Sequence, residues 1–289
     1  MSMKTLIQKI AVVVLMAVMG LVSGICMAQN KITITQDGFK YVGEAVDSIP
    51  NGNGVCYYAN GNKYYEGGWK DGVPEGMGTV YYENGHKKYE GFIKGGQFNG
   101  YGVYYYSNSG PKEVKEYEGE FKNGDFDGIG TSYYTSGALE YKGSWKESYF
   151  DGYGILYYEN GNIEYKGSWK KNEFDGYGIL YYENGNKEYE GKWKNDLSCG
   201  EGTTYYKNGN KEWEGTFVII TDKNGEENSV LDGFAVCYYE SGKVKYRGYF
   251  KQGWIDGMGI MYKEDGSIDK EGEWKDDKFV RSVKVNFNK

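Results

Sequence analysis

The sequence predicts an all-β protein built as an elongated, single-layer antiparallel meander, and three observations lead to that class. One short pattern recurs along the chain at a nearly fixed period. Each copy contains two strand-like stretches separated by turn residues. The composition is rich in glycine (46 residues) and tyrosine (32) and poor in proline (3), which favours strands and turns over helices. We therefore expect a β-hairpin solenoid whose sheet is twisted or curved along its length.

The first stretch of the chain differs from the rest. Two lysines precede an apolar run at 10–22, and small residues end with Ala28. This order is typical of a secretory signal peptide that is cut near Ala28 and Gln29, and the apolar run is short for a bilayer span. We expect residues 1–28 to be a signal peptide and the protein to be exported, whether periplasmic, at the cell surface or secreted. An uncleaved anchor and lipidation of Cys26 remain as alternatives.

The repeats are flanked by two short segments. Residues 29–40 form a polar lead-in, in which Ile32 and Ile34 alternate with threonines and predict an edge strand. The repeats occupy 41–280. In the remaining tail, 281–289, apolar residues alternate again, so we expect a last strand that caps the open edge of the sheet.

The repeat is marked by the glycine of a Tyr-x-Gly element, which gives about ten copies. The spacing is 24 residues except for one step of 28 and one of 33, with glycines at 43, 67, 91, 119, 143, 167, 191, 215, 248 and 272. Extra residues near 109–111 and within 218–231 account for the two long steps, and both are expected to enlarge a turn.

Two adjacent copies, 140–162 and 164–186, are nearly identical and show the unit most clearly. In the first half of the second copy, Tyr165, Gly167 and Trp169 lie on one face of a strand because side chains alternate with a period of two. The second half is a Tyr-, Ile- and Leu-rich strand. Each unit is therefore predicted to be a two-stranded hairpin that continues into the next one.

Turn residues and strand glycines complete the unit. Asn184-Gly185 predicts a type I′ turn, and Asn172 in the other turn tolerates a left-handed backbone. Gly176 and Gly178 are unfavourable in a strand unless something packs on them. We expect Tyr and Trp rings of neighbouring strands to cover the glycine backbone, because a single layer has no second layer to do so.

The pattern YKGSW at 165–169, followed by GYG at 176–178, resembles that of MORN repeats. The stretch YYENGNKEY at 181–189 also resembles the MORN-variant repeats of bacterial antitoxin-like proteins. The resemblance covers 41 to about 279 and implies an elongated single-layer sheet that acts as a scaffold or binding surface. Phosphoinositide binding, protein assembly and dimer formation are roles that the family implies, so a homodimer is a further expectation.

The aromatic rows are the candidate binding residues. Their first expected role is to hold the sheet together, but part of a row that stayed exposed would form a groove for an extended partner. The residues chosen for a partner or ligand site lie in and beside the near-identical copies: Tyr141, Trp145, Tyr165, Trp169, Tyr189 and Trp193.

Charge and glycine patterns disfavour several function classes. The chain has 34 Lys and Arg residues against 41 Asp and Glu residues, a net charge of −7 that becomes about −9 without the two lysines of 1–28. Nucleic acid and acidic lipid are therefore poor partners. The Gly-x-Gly pairs lead into strands, whereas a phosphate loop opens a helix, so no nucleotide cofactor is expected.

No catalytic or metal site emerges from the reactive side chains. One aspartate per repeat cannot surround a metal ion, and turn capping is the simpler role for Asp127, Asp151, Asp175, Asp232 and Asp256. His86 is the only histidine, and it has no evident partner. Cys56, Cys199 and Cys237 lie in distant repeats and are interpreted as half-buried thiols. We expect a protein that is not an enzyme and has no metal or cofactor.

Four functions remain in competition. The first is an exported scaffold that binds another protein along its sheet face. The second is binding of glycan or cell wall, in which sugars pack on rings. The third is association with a membrane surface, which would require basic residues to cluster on one face, such as Lys87, Lys88, Lys166, Lys170 and Lys171. The fourth is an immunity-like role suggested by the antitoxin resemblance.

Overall fold

A computed structural model describes residues 30–107, 110 and 112–287, and the predicted signal peptide at 1–28 lies outside them. Within the described residues the chain forms strands and turns and contains no helix. Contacts divide the chain into two compact units, Met1–Ser148 and Tyr149–Lys289, each with its own antiparallel meander. The predicted all-β class is confirmed.

The described residues of the N-terminal unit form ten strands, and each pairs antiparallel with the next along the chain. The strands are β1 (Asn30–Gln36), β2 (Phe39–Val46), β3 (Ile49–Tyr57), β4 (Lys63–Lys70), β5 (Val73–Tyr81), β6 (Lys87–Lys94), β7 (Gln97–Tyr105), β8 (Lys115–Lys122), β9 (Asp125–Tyr133) and β10 (Leu139–Lys146).

Over its described range, which ends at residue 287, the C-terminal unit has eleven strands that pair in the same way. The strands are β11 (Tyr149–Tyr157), β12 (Ile163–Lys170), β13 (Glu173–Tyr181), β14 (Lys187–Lys194), β15 (Leu197–Tyr205), β16 (Lys211–Thr221), β17 (Glu227–Tyr238), β18 (Val244–Lys251), β19 (Trp254–Tyr262), β20 (Ile268–Lys275) and β21 (Lys278–Ser282). In both units a strand contacts chiefly the strands before and after it, as a single layer requires.

The two faces of the sheet differ in every repeat. We call the face that carries the Tyr, Gly and Trp of the Tyr-x-Gly-x-Trp element, such as Tyr165, Gly167 and Trp169, the packed face. The opposite face, which carries the residue between Tyr and Gly, such as Lys166, is the open face. Glycines of neighbouring strands stand opposite each other on the packed face, as Gly167 does with Gly178.

The core lies on the packed face and consists of rings laid on glycine backbone. A Cβ added at Gly167 or Gly178 would overlap the Tyr165 side chain, so only glycine leaves room for the ring. Phe174 stacks on the other side of Tyr165, with ring centroids 3.8 Å apart and 11° between planes. The expected cover of aromatic rings over strand glycines is confirmed, and it replaces the second layer of an ordinary β-sandwich.

The type I′ turn predicted at Asn184-Gly185 is wrong, whereas the left-handed backbone predicted at Asn172 is confirmed. Gly185 has a positive φ of 87°, but Asn184 does not, so that loop is not type I′. The Asn184 side chain instead accepts the Asn186 N–H at 3.0 Å, and the loop closes with Tyr182 N donating to Asn186 O at 2.9 Å. The I′ pattern of two positive φ values occurs in the other turn, at Lys171 (51°) and Asn172 (69°).

The nine extra residues within 218–231 extend two strands and do not enlarge the turn. Register continues from Phe217 opposite Leu231 to Thr221 opposite Glu227, which makes β16 and β17 longer than their counterparts. The run of β-branched residues at 218–220 explains this, since such side chains favour pairing over a loop.

The two ends of the described chain behave differently. The lead-in strand is present as β1, which pairs with β2 at the edge of the N-terminal unit. At the other end the last strand is β21, which stops at Ser282, so the strand expected over 281–289 begins and ends earlier. Beyond β21 the Val283 N–H still donates to Glu271 O at 3.3 Å, and the Val285 N–H donates to Glu271 Oε1 at 2.8 Å.

Candidate interaction surface

The six aromatic residues chosen from the sequence all lie on the packed face and are buried. In the C-terminal unit Trp169 packs edge-on against Tyr165 at 4.9 Å, and Trp193 packs on Tyr189 at 4.7 Å. In the N-terminal unit Tyr141 and Trp145 make the same contact at 5.2 Å. The exposed fraction of each of the six residues is 8% or less.

The polar atoms of these rings are used within the sheet. The Tyr165 hydroxyl donates to Ser168 O at 3.1 Å, and the Tyr189 hydroxyl donates to Lys192 O at 3.1 Å. The Trp193 indole N–H donates to Gly178 O at 3.3 Å. Burial raises the pKa of Tyr165 and of Tyr189 well above the ordinary value of tyrosine. These rings hold the sheet together, and whether a partner also touches them stays a prediction.

The open face carries a second row of large side chains that the sequence prediction did not single out. The row is formed by the residue that precedes the second glycine of each repeat, and its exposed members are Met77, Tyr101 and Ile129 in the N-terminal unit and Tyr153, Tyr177 and Phe234 in the C-terminal unit. The signal was available in the sequence, because a residue next to a packed-face glycine must point to the opposite face.

Most of this row is solvent-exposed to a degree unusual for aromatic side chains. Tyr153 and Tyr177 expose 54% and 56% of their surface, and Tyr101 exposes 61%. The Tyr177 hydroxyl donates to Glu190 Oε1 at 2.9 Å, and the Tyr101 hydroxyl donates to Glu118 Oε1 at 3.0 Å. The Tyr101 and Tyr177 rings are therefore held in one orientation by the strand beside each of them, while their faces remain open.

A recurring ion-paired cluster surrounds these rings. Lys187 Nζ lies 2.6 Å from Glu190 Oε2, and the Tyr205 hydroxyl donates to the same oxygen at 3.3 Å. The Lys187 ammonium, with help from the two tyrosine hydroxyls, holds the pKa of Glu190 below its usual range. Equivalent Lys–Glu pairs are Lys63–Glu66, Lys87–Glu90, Lys115–Glu118 and Lys211–Glu214.

The near-identical copies depart from this cluster. Where five repeats carry Lys and Glu three residues apart, Leu139 stands just before the first copy with Lys142 inside it, and Ile163 stands just before the second copy with Lys166 inside it. The open face beside Tyr153 therefore has a lysine where the face beside Tyr177 has Glu190. A similar exchange occurs at Val244 with Arg247.

The repeated aspartates act on backbone and lysine groups of the next turn. Asp232 Oδ2 accepts the Gln252 N–H at 3.0 Å, and Asp151 Oδ2 accepts the Lys171 N–H at 3.4 Å. Asp175 and Asp256 form ion pairs with lysines at 2.8 and 2.6 Å. The expected capping role is confirmed at Asp151 and Asp232. Among the described residues no group of three or more potential ligands could hold a metal ion.

The remaining reactive side chains are not brought together. His86 lies in the loop after β5, where its N–H donates to Asn84 Oδ1 at 3.0 Å. Cys56 and Cys237 are buried free thiols, whose pKa values burial raises to about 12 and about 11, and Cys199 is a half-buried free thiol. A raised thiol pKa leaves little thiolate near neutral pH, so Cys56 and Cys237 are poor nucleophiles.

The five lysines considered for a membrane surface are divided between the two units. Lys87 is paired with Glu90 at 2.8 Å, and Lys88 lies over the Tyr82 ring at 5.7 Å. Burial lowers the pKa of Lys88. Lys166, Lys170 and Lys171 belong to the C-terminal unit. In the part of the chain that the structure describes, no helix is long and apolar enough to cross a membrane.

Comparison with protein families agrees with the strand pattern and the paired glycines. The MORN repeat model matches eight segments, 41–63, 65–87, 89–110, 117–139, 141–163, 165–187, 189–211 and 246–268. The chain belongs to the MORN-repeat family. The MORN repeat variant model matches 231–252. The two segments around Gly215 and Gly272 have the same strand pairing without a family match of their own. No curated protein matches the chain significantly.

Proposed function

We propose that this MORN-repeat protein is a non-catalytic, exported scaffold that binds another protein along its open face. The observation that carries the proposal is the row of exposed Tyr, Phe, Met and Ile side chains at one position of the repeat. Large apolar and aromatic side chains that stand exposed on a rigid strand are typical of protein recognition surfaces.

The packed face supports binding by making the open face rigid. Tyr177 lies on β13, directly beside Gly178, whose backbone is pinned beneath the Tyr165 ring. The hydrogen bond from Tyr177 to Glu190 fixes the exposed ring as well. A partner that meets such pre-ordered side chains loses less conformational entropy on binding than one that must order them.

The reactive groups support a role without catalysis. The thiols of Cys56 and Cys237 are buried and protonated, and His86 has its backbone, not its ring, engaged in the loop. General acid–base or nucleophilic chemistry needs such groups to converge within hydrogen-bond reach of one reacting atom.

Export is the second part of the proposal and has its own test. The basic and apolar residues of 1–28 predict cleavage, so N-terminal sequencing of the protein purified from its natural cell is expected to start near Gln29. A protein that retains residues 1–28 would contradict export by this route.

A glycan is a second candidate ligand because two exposed tyrosines, Tyr153 and Tyr177, recur one repeat apart within the C-terminal unit. Aromatic faces that stand free in solvent are the groups on which sugar rings pack. Periodic rings would suit a periodic polysaccharide, whereas a protein partner would also use the polar groups between them.

Photo-cross-linking on the open face tests the proposal and separates the two ligands. A photoreactive phenylalanine analogue replaces Tyr177, and the matched control carries it at Asn224, an exposed residue of the loop between β16 and β17. We expect a covalent protein adduct in native cells from position 177 and none from position 224. Glycan adducts alone would support the alternative, and no adduct from position 177 would contradict binding at this face.

A further inference from the structure

Two cross-strand pairs on the open face stand out because both members are large and apolar. The pairs compared are those between the exposed-row residue and the residue opposite it on the following strand. Within the described part of the chain, only two of the nine such pairs are apolar on both sides, Met77 with Phe92 and Phe234 with Tyr249. The other pairs include a glycine, serine, threonine, lysine or glutamate.

The Phe234–Tyr249 pair already has an occupant, which is the C-terminal segment of the same chain. The Phe287 ring lies 5.1 Å from Phe234 and 6.4 Å from Tyr249, measured between ring centroids. The Arg247 guanidinium is 5.0 Å from the same ring. With Val285 N–H held by Glu271, residues 283–287 cross the open face as an extended segment that inserts one aromatic side chain.

The Met77–Phe92 pair has the same place in its repeat, but no segment of the described residues lies over it. Met77 exposes 67% of its surface and Phe92 exposes 39%. Phe92 also borders Gly100, at 3.7 Å from the position of a Cβ there, which brings the patch to Tyr101 on the next strand. The apolar pair on β5 and β6 therefore has an exposed tyrosine, Tyr101, on the neighbouring strand β7.

The charged residues around the Met77–Phe92 and Phe234–Tyr249 pairs differ. The difference indicates which charge a ligand of the Met77–Phe92 pair would carry. Glu118 occupies the position of Glu271 two strands further on, so a carboxylate that can accept a backbone N–H is kept. Glu90 occupies the position of Arg247, so the patch has a carboxylate where the occupied pair has a guanidinium. The exposed ion pairs that Glu90 and Glu118 make with Lys87 and Lys115 are weak and can be exchanged for a ligand's cations.

We propose that Met77, Phe92 and Tyr101 form a docking site for an extended, basic segment of a partner protein that carries an aromatic residue. The aromatic ring would lie on the Met77–Phe92 pair, where sulfur and ring edge both favour it. Glu118 would accept a backbone N–H of the segment, and flanking Lys or Arg side chains would face Glu90 and Glu118. The inference rests on the proposed function, since it assigns one partner chemistry to the open face.

A peptide probe tests this site on the full chain. The probe is a fluorescently labelled peptide with the sequence of residues 281–289, RSVKVNFNK, which has the required aromatic residue and basic flanks. Binding is measured by anisotropy against the unaltered protein and against the double variant Met77→Asn with Phe92→Ser. Asn53 and Ser144 occupy these two positions in other repeats, so the variant uses side chains that the sheet already accepts.

We expect the double variant to lose at least tenfold in affinity, and a peptide with Phe287→Ala to lose a similar factor. The control Ile129→Ser changes an equally exposed residue of the same face and unit, whose cross-strand partner is Ser144, and should leave the affinity unchanged. Circular dichroism confirms that each variant remains folded.

Three results would overturn the inference. The first is no binding of the peptide to the unaltered protein. The second is loss of binding in Phe234→Ser but not in the Met77 and Phe92 variant, which would mean that the peptide only exchanges with the chain's own tail. The third is an equal loss in Ile129→Ser. Photo-cross-linking at Tyr177 is independent of this patch, so a protein adduct there would preserve the proposed function even if the peptide fails.

Discussion

At Tyr165 the phenol ring is held on both sides, by the backbone of Gly167 and Gly178 and by the ring of Phe174. The space that a Cβ would need is taken by the ring, which explains why glycine stands at a strand position where it is otherwise unfavourable. The same arrangement recurs at Tyr89 with Phe98 and at Tyr117 with Phe126, each with centroids 3.9 Å apart.

Truncating this ring tests the division between the packed and open faces. Tyr165→Ala removes a buried ring that nothing can replace, so we expect the free energy of unfolding to fall by about 3–5 kcal/mol in denaturant titrations. Tyr177→Ala removes an exposed tyrosine of the same repeat and should change it by less than about 0.5 kcal/mol. Equal losses from the two variants would show that the open-face ring is also structural.

The role of a single residue can be predicted from the sequence only where its position in the repeat allows one arrangement. The Tyr, Gly and Trp pattern correctly assigns the packed face, because alternation and the need to cover glycine leave one arrangement. It does not show that the rings cover one another so completely that the exposed fraction of Tyr165 is 0%. The sequence prediction misses the exposed row because it treats Tyr177 as part of the Gly-x-Gly motif and does not ask which face of the sheet the Tyr177 side chain occupies.

Neighbouring repeats are joined by a pair of reciprocal hydrogen bonds at those turns between the two strands of a repeat whose second residue is Asn or Asp. The Asn172 N–H donates to Phe150 O at 3.0 Å, and the Phe150 N–H donates to Asn172 Oδ1 at 2.7 Å. Asp196 makes the same two bonds with Phe174, and Asp277 makes them with Ile255. The turn residue therefore has two roles, because it adopts a left-handed backbone and supplies an oxygen to the repeat before it.

Changing this turn residue should weaken the junction between two repeats. Asn172→Ala loses the side-chain acceptor and places alanine at a φ of 69°, so we expect about 1.5–3 kcal/mol lower free energy of unfolding. Asn172→Asp keeps the oxygen, as Asp196 does in the next repeat, and should be nearly neutral. If chemical denaturation shows the same loss for Asp as for Ala, the side-chain bond does not join the repeats.

A second set of bonds joins repeats at the opposite ends of the strands. The second tyrosine of each Tyr-Tyr pair donates its hydroxyl to the carbonyl of the first tyrosine in the next pair, as Tyr182 does to Tyr205 O at 2.8 Å. In the same loops asparagine amides donate across the junction, as Asn184 Nδ2 does to Lys207 O at 2.8 Å. The Tyr-Tyr pairs and the Asn-Gly-Asn loops therefore form hydrogen bonds between repeats in addition to forming the turn within each repeat.

These bonds between repeats explain why the strands can be predicted from the sequence and the type of turn cannot. The strands follow from local alternation, which the sequence displays directly. The conformation of the Asn-Gly loop depends on bonds to the following repeat, and those favour a five-residue loop with one left-handed glycine over a two-residue type I′ turn. The prediction that the extra residues within 218–231 enlarge a turn is wrong for a similar reason. The length of an insertion does not show whether its residues pair as strands.

On the scale of the molecule, stability is the sum of many similar junctions. Each strand contacts chiefly its neighbours, so a repeat is stabilised by its own rings and by the two repeats beside it. Because the same buried tyrosine recurs in most repeats, a condition that acts on that residue acts on many junctions at once.

Alkaline pH is such a condition, and the direction of its effect follows from the tyrosine pKa values. Burial raises the pKa of Tyr41 and of Tyr58 to about 12 and raises those of Tyr65, Tyr89, Tyr117, Tyr165, Tyr189 and Tyr246 further. Tyrosine in the unfolded chain ionises near pH 10. Above that pH the unfolded state releases protons that the folded state retains, so the free energy of unfolding must fall as pH rises.

We therefore expect stability to be insensitive to tyrosine ionisation below about pH 9 and to decline steeply from about pH 10 towards pH 12. Urea denaturation at a series of pH values, with tyrosinate absorbance recorded in parallel, measures both quantities. Tyr165→Phe keeps the ring but removes one ionisable group, so its stability should decline less steeply than that of the unaltered protein. A flat profile through pH 11, with tyrosines ionising at their ordinary pKa in the folded state, would contradict the buried arrangement of the rings.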